Sequence, residues 1–180
     1  MIEKVLQYPT QTILNEIDKN VIEAALGEVS LWDVSKRHKN IEYHKHARNI
    51  PLITWDNIDG VAQRDTMTTH VVNRYPGKWP ETNLFMQTVE KMFNCSVKTI
   101  NIVKLEANME VYPHIDGGEF YATHDRYHFV LQGEYEFTVG DDQMVCSKGC
   151  VYRFDNTLTH SVRCGDEERI ALIFDALPLG

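Results

Sequence analysis

Apolar residues recur at helical spacing in two places along the chain. Leu14, Ile17, Val21 and Ala25 mark one face of a helix between Thr10, a candidate N-cap, and Gly27, a natural stop. Phe85, Val89 and Met92 repeat the pattern after Thr82. Between these helices residues 30–80 are mixed. Short apolar runs surround Leu31-Trp32 and Ile50–Thr54, and a polar, turn-rich stretch from Asp56 to Pro80 is a candidate lid. Near residue 97 the period changes from helical to alternating. Short strands follow, separated by the turn signals Gly117-Gly118, Gln132-Gly133, Gly140-Asp141-Asp142, Lys148-Gly149 and Gly165-Asp166. This spacing predicts an antiparallel sandwich or barrel. The chain thus reads as a single domain over 1–180, with a helical and mixed part at 1–96 and a β core at 97–176.

Alternation also says which side chains share an interior. On the run 126–131, Arg126, His128 and Val130 face one way, while Tyr127, Phe129 and Leu131 form a packing face. On the last strand Ile170, Leu172 and Phe174 make one row, and Arg169, Ala171 and Ile173 the opposite one. Polar groups on an internal face are costly unless something satisfies them. A ligand pocket resolves the conflict.

Composition narrows the function classes. A chain of 180 residues with 43% hydrophobic and 24% charged residues can enclose a sizeable core. Its formal net charge of −8 argues against nucleic acid, which is bound by clustered Lys and Arg. No apolar run approaches the roughly 20 residues that span a bilayer, and Met-Ile-Glu-Lys-Val-Leu does not begin a signal peptide, so a cytoplasmic protein without membrane contact is expected. The four cysteines, at 95, 146, 150 and 164, lack zinc-ribbon spacing and read as buried free thiols, although Cys146 and Cys150 flank a turn and can approach each other.

The chemistry concentrates at His114-Ile115-Asp116, His160 and Arg169. Side chains two apart on an extended segment share a face, so His114 and Asp116 can grip one ion, and His160 completes a set of two imidazoles and a carboxylate. That set leaves three positions open, as in non-haem Fe(II) oxygenases. Arg169 suits the far carboxylate of a co-substrate such as 2-oxoglutarate. Other candidates carry less. His44-Lys45-His46 lies in a basic stretch, Lys36 to Arg48, that reads as a solvated face. Trp55, Arg74 and Trp79 could line a substrate entrance, with core packing the commoner role for tryptophan, and His124 reads as a loop histidine.

Taken together, Tyr112-Pro113-His114-Ile115-Asp116, Arg126-Tyr127-His128, Phe154–His160 and Arg169 with Asp175 resemble the aspartyl/asparaginyl β-hydroxylase family of Fe(II)- and 2-oxoglutarate-dependent oxygenases. The resemblance covers roughly residues 100–176. It implies a mainly β fold of the α+β class: a double-stranded β-helix (jelly roll, cupin-like) with the N-terminal helices on its outer face. It further implies iron held by His114, Asp116 and His160, and 2-oxoglutarate contacted by Arg126, His128 and Arg169. Relatives acting on Asp or Asn in polypeptides carry glycine at the carboxylate position. Asp116 makes this chain similar to the His-x-Asp branch, which includes free L-proline hydroxylases. A carboxylate there also fills the place that halogenating relatives leave for halide. Where a family member has a serine that helps hold 2-oxoglutarate, this chain has Val103 beside Lys104. The expected activity is hydroxylation of an unactivated C–H bond in a free amino acid or similar small molecule, using dioxygen. Two alternatives remain: hydroxylation of Asp, Asn or Pro residues in a protein, and a cupin-type barrel that binds or isomerises a metabolite. The sequence leaves the oligomeric state open.

Overall fold

The computed structural model describes residues 1–33, 42–55, 57–58, 61–62 and 71–180. From β6 (Cys95–Leu105) onward the strands are shared between two sheets. They are β7 (Glu110–His114), β8 (Asp125–Gln132), β9 (Tyr135–Val139), β10 (Asp142–Cys146), β11 (Cys150–Phe154), β12 (His160–Cys164) and β13 (Arg169–Pro178). One sheet runs β11-β8-β13-β6 through its middle and the other runs β10-β9-β12-β7, with antiparallel pairing throughout. Strand exchange of this kind is the jelly roll, the double-stranded β-helix expected above. Three N-terminal strands widen the larger sheet to seven. β1 (Ile2–Gln7) pairs with β11 at one edge, while β2 (Ala47–Trp55) and β5 (Val71–Asn73) extend the other. A separate small ribbon joins β3 (Asn57–Ile58) to β4 (Val61–Ala62).

The two faces of the larger sheet have different fates. Its outer face carries Ile100, Ile102, Tyr127, Phe129, Leu131, Ile170, Leu172 and Phe174, which pack against α1 (Gln11–Leu26) and α2 (Pro80–Phe93) through Ile13, Leu14, Ile17, Phe85, Met86 and Val89. The row Tyr127, Phe129, Leu131 and the row Ile170, Leu172, Phe174 are therefore packing rows, as the alternation requires. Phe85 stacks on Phe129 with ring centroids 4.5 Å apart, and its edge meets Phe174. The inner face holds Arg126, His128, Arg169 and Ile173, which border a cavity between the sheets.

Helix positions agree with the apolar pattern better than their capping does. Thr10 occupies the N-cap of α1, but its hydroxyl makes no capping bond. The buried stripe is Ile13, Leu14 and Ile17 together with Glu16 and Asn20, while Ala25 is exposed. α2 starts at Pro80, whose ring presets a helical φ at the first turn, rather than after Thr82. Met92 is 55% exposed, and Met86 packs in the core instead. One buried acid joins the two helices. Glu16 of α1 accepts hydrogen bonds from the amides of Glu81 and Thr82 and from the Thr82 hydroxyl, at 2.7, 3.0 and 2.7 Å. Those amides are the otherwise unpaired donors of the first turn of α2, where negative charge is favoured.

Several other expectations resolve here. All four cysteines are buried and free. Trp79 lies in the core at 3% exposure, which removes it from an entrance role. Arg74 is exposed and donates to the Thr54 hydroxyl. The side chain of Trp55, and residues 56, 59–60 and 63–70 of the candidate lid, lie outside the described residues. Among the described residues no helix is long and apolar enough to cross a membrane.

Gly133 carries the β8–β9 turn at φ +71°, and a Cβ there would lie 2.5 Å from the backbone oxygen of Glu168 and 3.3 Å from the Cα of Arg169. Gly133→Ala is expected to destabilise the protein by about 1–3 kcal/mol, because both the left-handed backbone and the contact oppose a side chain. Glu16→Ala is expected to cost about 1–2 kcal/mol through the lost helix cap. Denaturant unfolding of both variants measures this, and midpoints equal to that of the unaltered protein would refute the two assignments.

Candidate metal centre

The smaller sheet builds the site. His114 ends β7, His160 opens β12, and the antiparallel register sets them directly opposite each other, with ring centroids 4.3 Å apart. Asp116 follows just beyond the end of β7, where its amide donates to the Asn156 carbonyl at 3.3 Å and ties the segment to the β11–β12 connection. Ile115 between them is 55% exposed, so His114 and Asp116 share the inner side as their spacing predicts. One ligand atom from each of His114, Asp116 and His160 lies within 4.8 Å of the others. His114 Nε2 is 3.9 Å from Asp116 Oδ1, and His160 Nε2 is 3.6 Å from Asp116 Oδ2.

Protonation favours metal binding. His114 Nδ1 faces the Tyr112 carbonyl at 2.8 Å and His160 Nδ1 faces the Leu158 carbonyl at 3.0 Å. A carbonyl can only accept, so each Nδ1 carries the proton and each Nε2 presents its lone pair to the site. Burial pushes the His160 pKa down to about 4 against the opposing pull of Asp116. Two imidazole Nε2 atoms and a carboxylate suit Fe(II), and the same donors accept Mn, Co, Ni or Zn. Tyr43 stacks on the His114 ring at 4.2 Å, and His44 meets the same ring edge-on at 4.9 Å.

The larger sheet faces these ligands with the three other candidate residues. Arg126 of β8 donates through Nη1 to Asp116 and through Nε and Nη2 to Asp175, at 2.7 and 3.0 Å for the latter pair. Burial opposes its charge, but Asp116 and Asp175 outweigh burial and raise its pKa well above the usual value. His128 hydrogen-bonds the Tyr135 hydroxyl through Nδ1 at 3.0 Å and stacks on Phe137. Burial, with Arg169 adding to it, pushes the His128 pKa far down and keeps the ring neutral. Arg169 is 1% exposed and lies over the Tyr135 ring at 4.3 Å. Its Nε and Nη2 are buried without a hydrogen-bond partner among the described residues. An uncompensated buried guanidinium is expensive, and an anion in the cavity it borders would relieve that cost.

The cavity is bordered by His114, His160, Arg126, His128, Arg169 and Ile173, and also by Asn49, Asn101, Val103 and His44. Val103 faces inward where the resemblance places a serine. Lys104 turns away to pair with Glu168 at 2.7 Å and to cover Trp32. Asn101, two residues before Val103 and so on the same face, accepts a hydrogen bond from Asn49 and supplies polarity to this wall. The expectation of a solvated face for His44-Lys45-His46 needs correction. His44 borders the cavity, and His46 is half-buried with Nδ1 3.3 Å from the Glu110 carbonyl, so Lys45 is the exposed member. His124 stacks on Phe120 and faces that residue's carbonyl, outside this cavity.

Sequence reasoning missed the roles of Asp175, Thr99, Tyr135, Asn101 and His44. Extending the row Arg169, Ala171, Ile173 by one step reaches Asp175, so alternation contained that signal. His44 comes from a short 3-10 turn, Glu42–His44, that no periodicity marks.

Neutral burial of His160 has a consequence for stability. The unfolded imidazole takes its proton near pH 6.5, whereas the folded one resists protonation until about pH 4, so the unfolded state binds more protons in that window. His160 alone is therefore expected to cost the metal-free protein about 3 kcal/mol of stability as the pH falls from 6.5 to 4, and the depressed His128 adds to that loss. Urea unfolding across this range in chelator measures the loss. A flat profile would show that His160 is already protonated in the fold.

No curated protein matches the chain. Among solved structures, a conserved protein of unknown function from Streptococcus pyogenes aligns at 17% identity and a TM-score of 0.38, over 46% of this chain and 66% of its own. A DMSP lyase from Ruegeria pomeroyi aligns at 21% identity and a TM-score of 0.38, over 44% of this chain and 38% of its own. A predicted oxalate decarboxylase from Thermotoga maritima aligns at 21% identity and a TM-score of 0.39, over 49% of this chain and 72% of its own. The chain thus spans 66% and 38% of the first two relatives. At similarity this low, what those proteins act on stays with them. The family profile described as aspartyl/asparaginyl beta-hydroxylase, by contrast, matches residues 68–178, more than half of the chain and every candidate ligand in it. The chain belongs to the aspartyl/asparaginyl β-hydroxylase family.

Proposed function

We propose that this protein is a non-haem Fe(II)- and 2-oxoglutarate-dependent dioxygenase that hydroxylates an unactivated C–H bond of a free amino acid or similar small molecule. The observation that carries this reading is one cavity bordered by His114 and His160 of the His-Asp-His cluster and by a buried guanidinium whose Nε and Nη2 have no hydrogen-bond partner among the described residues. His114, Asp116 and His160 would hold the iron, and their two imidazoles and one carboxylate fit it. Iron held there supplies the oxidative chemistry, coupling decarboxylation of 2-oxoglutarate to use of dioxygen. The chain's own residues do the rest. Arg169 receives the distal carboxylate, the interaction that its present surroundings lack. Arg126 and His128 border the same cavity and are assigned to the 2-oxo acid as well. Packing of Val103, Val111, Val162 and Ile173 around the cavity limits water at the reacting centre.

Asp116 supports the small-molecule reading, because the chain is similar in this residue to the branch containing free L-proline hydroxylases. We read residues 1–180 as one oxygenase domain, supported by an outer core that draws on residues from Ile13 to Ala176. The four buried free thiols suit a reducing cytoplasm.

Succinate formation from 2-oxoglutarate, with Fe(II) and ascorbate present, tests the assignment. Stimulation by free amino acids supports it. Oxygen added instead to a protein substrate would move the assignment to Asp, Asn or Pro residues, and no turnover alongside tight binding of another metabolite would favour a cupin-type barrel. Arg169→Ala is expected to raise the 2-oxoglutarate KM about 10- to 150-fold, the equivalent of one charge-assisted bond of about 1.5–3 kcal/mol. Normal saturation in that variant would give Arg169 another role. His114→Ala and His160→Ala should each abolish Fe(II) binding by calorimetry, and retention of affinity in either removes that residue from the ligand set.

A further inference from the structure

Three neighbouring strands of the larger sheet carry one polar ladder on their inner face. Thr99 of β6 is in register with Asp175 of β13, and Asp175 is in register with Arg126 of β8. The Thr99 hydroxyl donates to Asp175 Oδ2 at 2.5 Å, and Arg126 grips both oxygens of Asp175 through Nε and Nη2. Arg126 Nη1 then continues to Oδ2 of Asp116, while the face of Tyr121 covers the guanidinium at 4.7 Å. Thr99, Asp175 and Asp116 are 3%, 2% and 7% exposed, so solvent does not compete for these bonds. Bidentate Arg–carboxylate geometry fixes the plane of the guanidinium, and a fixed plane fixes where Nη1 points.

This ladder places a constraint on the proposed ligand. A carboxylate beside an ion can offer one oxygen or both. Here the Arg126 guanidinium engages Oδ2 of Asp116, and Oδ1 lies 3.9 Å from His114 Nε2. Resting on the metal-centre reading above, we propose that Asp175, acting through Arg126 and braced by Thr99, is a positioning residue that holds Asp116 to one-oxygen coordination and so keeps neighbouring coordination positions open for co-substrate and dioxygen. Three of the five N–H donors of Arg126 are committed in this way, so a contact to 2-oxoglutarate falls to the remaining two.

The test uses Co(II) as a spectroscopic probe of the full chain, with calorimetric affinity, the visible absorption spectrum and a metal-free thermal melt recorded for each variant. Asp175→Asn removes the charge that orients Arg126, and Arg126→Lys keeps a cation but loses the fork. Each is expected to weaken Co(II) binding about 10- to 100-fold, the usual scale for residues that orient ligands, and to shift the spectrum as Asp116 changes its mode of binding. Thr99→Val removes only the brace and is expected to weaken binding severalfold with a melt close to normal. Should Asp175→Asn or Arg126→Lys fail to fold, Thr99→Val decides alone. Unchanged Co(II) affinity and spectrum in the folded variants, with only a lowered melting temperature, would mean that the ladder merely braces the sheet, and the proposal would be overturned. Absence of Co(II) binding by the unaltered chain is a different failure, since it removes the metal centre and the proposed function with it.

Discussion

The antiparallel pairing of β12 with β7, which sets His160 opposite His114, is the constraint on which the site depends. A slip of one residue would turn one imidazole to the outer side of the smaller sheet, because side chains alternate with a period of two. The register is held on both sides of β12. β9 pairs with it from Val139 to Tyr135, and Val162 and Phe137, a registered pair, sit in the apolar core between the sheets. Carbonyls within two residues then orient each imidazole and help aim both Nε2 atoms at Asp116.

The larger sheet makes the complementary contribution by separating two kinds of face. Its outer face is covered by two helices and stacked aromatics, which supply apolar burial without reference to the site. That burial allows the inner face to carry groups that cost free energy: a neutral buried histidine, a bound Asp-Arg-Asp chain and a guanidinium with two nitrogens unpartnered among the described residues. Departures from an apolar interior concentrate where chemistry is expected. Gly133 belongs to the same arrangement, because the close approach it permits to Glu168 and Arg169 sets where the last strand begins.

Much of this was legible from alternation alone. The packing rows Tyr127-Phe129-Leu131 and Ile170-Leu172-Phe174 follow from period two, and so do the inward directions of Arg126, His128 and Arg169. The His-x-Asp spacing foretold a shared side for His114 and Asp116. Contacts between distant segments were not legible. Glu16 capping α2, and Tyr43 and His44 packing on His114, join parts of the chain whose local patterns contain nothing about each other. β1 was equally hidden, because Ile2–Gln7 alternates only weakly and acquires its strand from the edge of β11. Met92 erred in the opposite direction, since its spacing fits the apolar stripe but α2 presents that position to solvent.

Charge across the cavity ties these elements together. The guanidinium groups of Arg126 and Arg169 are balanced by the carboxylates of Asp116 and Asp175, and the buried imidazoles of His128 and His160 contribute no charge. The balance is not local. Both carboxylates gather around Arg126, which leaves Arg169 as the positive end of the cavity and the cluster at Asp116 as the negative end. A divalent cation placed at the negative end would leave these four charged groups and the ion two units positive in sum, in a region where low polarisability makes that costly. A dicarboxylate reaching from the cation to Arg169 would restore neutrality and satisfy the orphaned donors. Neither guest fits the field well alone, and this mutual dependence is the electrostatic argument for a metal and a dianionic co-substrate occupying one cavity.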